Sequence, residues 1–304
     1  MTSIFSSIAV AGSGCGASLE DSPLGGPILR LVAPGGTAEV ALQGAQVLSW
    51  QPQGHAPVIW LSPMERLARP AGTPKPVRGG TPVCWPWFAG HPSDAAKPAH
   101  GFVRTKLWTI DRTEASADTV RVTLSIATSD ADQPLWPHAA RVQLVVTMGA
   151  SLGLALTTHN TGTAPFELTE ALHTYFAVGD IADVTVEGFD GQSYTDKLDD
   201  NARKLQAGTI RFTAEVDRIY DAHTGAATIV DAGLKRRIDI TKSGSCSSVV
   251  WNPWSAKAAR LSDLGPDGWR RYVCVETCNA GADVVTVAPG TKHTMTAQYR
   301  VTAL

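Results

Sequence analysis

Val142-Gln143-Leu144-Val145-Val146-Thr147-Met148 is followed by Gly149-Ala150-Ser151 and then by Leu152-Gly153-Leu154-Ala155-Leu156. In an extended chain Val142, Leu144, Val146 and Met148 fall on one side, and Leu152, Leu154 and Leu156 repeat that spacing after the link. Two rows of period two joined by three small residues predict a β-hairpin with one buried face. The pattern spreads in both directions. Upstream, Val122, Leu124 and Ile126 alternate with Arg121, Thr123 and Ser125. Near the C-terminus, Val284–Val287 runs into Ala288-Pro289-Gly290-Thr291. After it, Met295, Ala297, Tyr299 and Val301 alternate with Thr294, Thr296, Gln298 and Arg300. Helical periodicity is confined to a turn or two at Pro63–Ala68. Short alternating segments punctuated by Gly, Pro, Asn and Asp predict an all-β sandwich.

A chain of 304 residues could hold two ordinary domains or one large β domain. No Pro/Ser-rich linker, composition shift or internal repeat divides it, so a single domain is expected over 27–304. A mobile N-terminal segment, 1–26, is expected ahead of it. Gly12-Ser13-Gly14-Cys15-Gly16-Ala17 has the letters of a dinucleotide-binding fingerprint. That fingerprint needs a helix directly after it, and Pro23, Gly25, Gly26 and Pro27 forbid one. No nucleotide site is expected there.

Hydrophobic residues make up 43% of the chain and charged residues 18%, enough apolar material for a sizeable core. A net charge of −2 argues against a nucleic-acid or anionic-membrane partner, while leaving room for a small anionic substrate held by a few arginines. No stretch is long and apolar enough for a membrane helix, and Met1–Ala17 lacks the charged start of a secretory signal. The five cysteines, Cys15, Cys84, Cys246, Cys274 and Cys278, are an odd number without dense spacing, which points to free thiols and a cytoplasmic protein. On an extended strand Cys274 and Cys278 would lie ~13 Å apart, beyond disulfide reach. A monomer is expected.

Three segments place ionisable residues amid apolar sequence. The first joins Arg78-Gly79-Gly80-Thr81-Pro82 to His100-Gly101-Phe102-Val103-Arg104; the second is Leu172-His173-Thr174-Tyr175-Phe176; the third is Glu276-Thr277-Cys278-Asn279. Singly, each has an ordinary structural explanation: a hydrogen-bonded core histidine, a paired glutamate, an arginine fastening a loop. Glu276 fits that explanation least. On a strand it shares a face with Cys274, opposite Val273 and Val275, and so faces a partly enclosed surface.

In this order the motifs resemble those of the hexose-6-phosphate mutarotases, or glucose-6-phosphate 1-epimerases, a branch of the galactose mutarotase-like (aldose 1-epimerase) superfamily. The likeness runs from about Leu31 to the C-terminus and takes in Gly44-Ala45-Gln46-Val47 and Asp196 in Tyr194-Thr195-Asp196-Lys197. It implies a large twisted antiparallel β-sandwich with a few short helical turns, and a sugar bound on a concave sheet face. It also implies an isomerase without metal or cofactor that interconverts the α and β anomers of a hexose 6-phosphate, with glucose 6-phosphate the expected substrate. Ring opening needs a base for the anomeric hydroxyl and an acid for the ring oxygen. By resemblance Glu276 is the base and His173 the acid. His100, Arg78, Arg104 and Asp196 bind substrate, the arginines matching residues suited to a phosphate. One departure is Ala99, where some relatives carry a glutamine before the His-Gly pair. Two alternatives stand beside this: a mutarotase for an unphosphorylated aldose, with Arg78 and Arg104 as loop anchors, and a catalytically silent carbohydrate-binding protein on the same fold.

Overall fold

The predicted hairpin forms the centre of the larger sheet. The structure, a computed structural model, describes residues 8–9, 14–22, 26–66 and 75–304. The Leu152–Asn160 strand lies between Ala140–Met148 and Lys292–Ala303. Leu152, Leu154 and Leu156 pair with Met148, Val146 and Leu144 on one side and with Tyr299, Ala297 and Met295 on the other. All of these side chains are buried. Each large aliphatic residue so removed from water contributes about 1.5–3 kcal/mol, which fixes the register: a slip of one residue would expose the whole row. Nine strands make up this antiparallel sheet.

An eight-stranded sheet packs against it and carries the site. Its path runs Ala202–Leu205, Ser193–Asp196, Val216–Tyr220, Ser247–Asn252, Tyr272–Asn279, Glu170–Leu172 and Val83–Cys84, with Tyr175–Ala177 also paired to Tyr272–Asn279. The two sheets meet where Phe176 packs edge-on to Tyr299, with ring centroids 5.0 Å apart, and where the hydroxyls of Thr174 and Tyr299 hydrogen-bond at 2.7 Å. Every residue of Tyr272–Asn279 is buried, because one face looks into the intersheet core and the other into the site. A five-stranded sheet of sequential strands precedes both, and Phe166–Leu168 pairs with Val285–Val287 in a small two-stranded one.

Helical structure is short: single turns such as Pro63–Arg66, and one α-helix, Trp254–Ala258, among the described residues. None of these helices is long and apolar enough to cross a membrane. Gly16–Asp21 is a strand paired along its length with Pro27–Ala33, so the boundary expected at residue 26 falls between two paired strands. The rest of the expected mobile segment (1–7, 10–13 and 23–25) and the end of the Pro63–Ala68 turn lie outside the described residues. Among the described residues Cys84, Cys246, Cys274 and Cys278 are free thiols.

Candidate active site

Strand register explains why residues a hundred positions apart meet. Leu172 pairs with Thr277 and Tyr175 with Cys274, so the same antiparallel register sets His173 opposite Glu276. Residues directly opposed in this way share a sheet face. The next strands extend the two rows. Val249 pairs with Glu276 and with Ile219, and Trp251 pairs with Cys274 and with Asp217. The floor of the site is therefore Ile219-Val249-Glu276-His173 in one row and Asp217-Trp251-Cys274-Tyr175 in the other. These rows line a cavity of about 260 Å3, closed on one side by Phe88, Ala89 and His100.

A second chamber of about 320 Å3 shares Arg78, His100, His173 and Tyr175 with the first and adds Lys75, Arg104 and Asp263. Three cationic side chains and one carboxylate thus meet at one end of the cleft. Arg78 is held from several sides: Nη1 donates to the Tyr175 hydroxyl at 3.0 Å, Nε lies 3.1 Å from Asp263, and its backbone N–H donates to Glu65. Burial alone would lower the pKa of its guanidinium, but Tyr175 and Asp263 more than offset this and hold it above its ordinary value, so the charge is secure. Arg104 Nη2 donates to the Ala99 carbonyl at 2.6 Å, and its buried Nε makes no hydrogen bond among the described residues. The glycines after Arg78 serve the chain rather than a ligand. A Cβ at Gly80, where φ is +68°, would stand 2.4 Å from the Val47 carbonyl oxygen.

The reacting end is nearly dry. His173 Nε2 lies 3.3 Å from Glu276 Oε1, with side-chain exposures of 12% and 1%. Glu276 Oε2 and His173 Nδ1 have no hydrogen-bond partner among the described residues. Burial, then Asp217, pushes the Glu276 carboxyl well above its ordinary range. Burial, then His100, Arg104 and Arg78, pushes His173 well below its own. Both directions favour the neutral pair, with its one proton on Glu276. Asp217 is pushed up to about 6, chiefly by burial, with Lys257 opposing. His100 stacks against neither: its ring meets Phe88 and His173 edge-on. The Ala89 N–H donates to His100 Nδ1 at 3.2 Å, which leaves the ring proton on Nε2, directed away from that amide. Burial and the two arginines push His100 down to about 3. Gly101 makes the bend possible, since a Cβ there would stand 1.7 Å from the Trp85 carbonyl oxygen.

A model of the aldose 1-epimerase family matches residues 27–300. The chain belongs to the aldose 1-epimerase family. A candidate glucose-6-phosphate 1-epimerase of Escherichia coli (strain K12) is 38% identical over 244 residues, 80% of each chain. One from Cenchrus ciliaris is 36% identical over 263 residues, 83% of this chain and 78% of that one. The crystal structure of a candidate mutarotase from Salmonella typhimurium superposes with a TM-score of 0.86 at 30% identity, covering 98% of this chain and 97% of its own. This aldose 1-epimerase family member thus has the all-β, galactose mutarotase-like architecture that the sequence implies.

Five of the six residues singled out by motif, Arg78, His100, Arg104, His173 and Glu276, line the cleft. Asp196 does not. It pairs with Arg218, whose neighbours Asp217 and Ile219 take the cavity face, so strand parity turns Asp196 to the other side. There its carboxylate is engaged by Lys204 Nζ at 2.8 Å and by the Leu198 N–H at 3.0 Å. The carboxylate that faces the cavity is Asp217. Motif reasoning missed it, along with Lys197, Trp251 and Lys257. The alternation in Val216-Asp217-Arg218-Ile219-Tyr220 would have put Asp217 beside Ile219 on one face, given the sheet neighbours.

Proposed function

We propose that this protein interconverts the α and β anomers of a hexose 6-phosphate, with the sugar ring over the Glu276–Trp251–Asp217 floor and the phosphate among Lys75, Arg78 and Arg104. The supporting observation is the joining of two chambers along a shared wall of Arg78, His100, His173 and Tyr175. A carboxylate–imidazole pair 3.3 Å apart opens onto a cationic pocket of a size suited to a phosphate. Glu276 takes the proton of the anomeric hydroxyl while His173 protonates the ring oxygen, and the C1–O5 bond breaks. The aldehyde turns about C1–C2; closure returns the proton from the ring oxygen to His173 and that on Glu276 to the new anomeric oxygen. His100 Nε2–H donates to the sugar near that end, and Asp217 accepts from a ring hydroxyl. Ring and phosphate together occupy one unit, 27–304, acting as a cytoplasmic monomer.

Exchange spectroscopy on equilibrated glucose 6-phosphate tests this. Rapid α–β exchange in the presence of the protein, with free glucose and galactose much slower, is the expected result. Equal exchange of free and phosphorylated sugars would instead support the plain aldose mutarotase.

A further inference from the structure

His173 is the one side chain of the acid–base pair that lines both chambers. On its cation-chamber side it shares the wall with Arg78 and Arg104, and Tyr175 physically joins the two groups. The Tyr175 ring stacks on His173 with centroids 5.0 Å apart and planes 13° apart, while its hydroxyl accepts from Arg78. On the other side Glu276 is within 3.3 Å. Besides Lys75 and Asp263, the other ionisable groups around the two chambers are His100, fixed as a neutral donor, the Cys274 thiol, pushed up by burial, Asp217 in the adjoining row of the floor, and the cations Lys197 and Lys257, the latter 3.9 Å from Asp217. An imidazole so placed is kept unprotonated chiefly by its burial, then by His100 and by the guanidinium charges of Arg104 and Arg78.

From this geometry we infer that the substrate's own phosphate, by occupying the chamber of Lys75, Arg78 and Arg104, drives the shared proton from Glu276 Oε1 onto His173 Nε2 and so switches the pair into its working form. The inference rests on the phosphate placement proposed above and deepens it. A phosphate monoester carries about −1.5 to −2 charges near neutrality, enough to offset the guanidinium charges of Arg78 and Arg104 that His173 faces. With those charges offset, the proton moves within the pair: Glu276 becomes the carboxylate that ring opening requires, and His173 the imidazolium. No proton is gained or lost overall. The phosphate then acts on the chemical step as well as on binding, although it is held away from C1.

Cutting the substrate in two tests this. Anomer exchange of free glucose is measured with and without saturating inorganic phosphate, and nitrogen-15 NMR reads the His173 ring, assigned by its loss in His173→Asn. One pKa unit changes the protonated fraction about tenfold, so stimulation of glucose exchange by about tenfold or more is expected. The His173 nitrogens should move from the neutral to the imidazolium pattern as phosphate binds. Arg104→Ala should lose both effects, and Arg104→Lys, which keeps the charge, should retain much of each. If glucose 6-phosphate is exchanged rapidly while phosphate merely competes with it, leaving glucose exchange and the His173 ring unchanged, the switch is refuted and the phosphosugar activity stands. If glucose 6-phosphate is not exchanged at all, the activity itself fails.

Discussion

Glu276 and His173 lie 3.3 Å apart with little exposure to solvent. A positioned proton-transfer group contributes about 10²–10⁴-fold, so Glu276→Gln and His173→Asn should each slow anomer exchange by that factor in a folded protein. Near-wild-type exchange in either would remove the pair from the mechanism. The pH dependence follows from the directions of the two shifts. The pair works with one proton. Adding a second is opposed by burial and by Arg78 and Arg104, so the acid limb of kcat/KM should lie below the ordinary histidine value. Losing the last is opposed by burial and Asp217, so the alkaline limb should lie above the ordinary carboxylate value. A bell is expected for the wild type, and a single limb in Glu276→Gln, where only His173 titrates; a flat wild-type profile would contradict both. His100 should behave differently. Its Nδ1 is occupied by the Ala89 amide, so nitrogen-15 spectra should show a neutral Nε2–H ring throughout about pH 5–8. A His100 that titrates in this range would mean the amide contact is not kept in solution.

At the scale of the strand, parity decides which acid faces the cleft. Asp217 and Ile219 face the cleft; Asp196 and Arg218 face away. A hydrogen bond to a charged group is worth about 1.5–3 kcal/mol, so Asp217→Asn should weaken use of glucose 6-phosphate about 10- to 150-fold. Asp196→Asn should leave kcat/KM within about twofold, its loss showing instead as a modest drop in melting temperature from the broken contact with Lys204. The opposite ranking would reinstate the motif-based choice of Asp196. Strands with one wet face were legible in the sequence, because Val142 to Leu156 and Met295 to Val301 alternate cleanly. Tyr272–Asn279 was only half legible: buried on both faces, it shows no full alternation, and only Glu276 among valines and cysteines marked the site face. That Asp196 lies off the cleft face has the same origin. A single strand gives two faces, and only its pairing partner says which one looks inward.

Across the whole molecule, the cleft depends on pairings that no local pattern contains. His173 and Glu276 meet because Glu170–Leu172 and Tyr175–Ala177 lie in one register along Tyr272–Asn279. Arg78 and Arg104 arrive from long connections tied down at Leu61, Val47 and Trp85. The sequence named five of the six cleft residues it proposed only because four motifs occur in a fixed order. The order of strands in the sheets, the division of the cleft into two chambers and the placing of His173 between them came from the structure. Those features lead to one comparison. Saturation transfer between the α and β anomers of glucose 6-phosphate should show strong catalysis by the wild type, about 10²–10⁴-fold less by Glu276→Gln, and much slower exchange of free glucose and galactose. Exchange of free glucose as fast as that of the 6-phosphate, or undiminished exchange by Glu276→Gln, would contradict it.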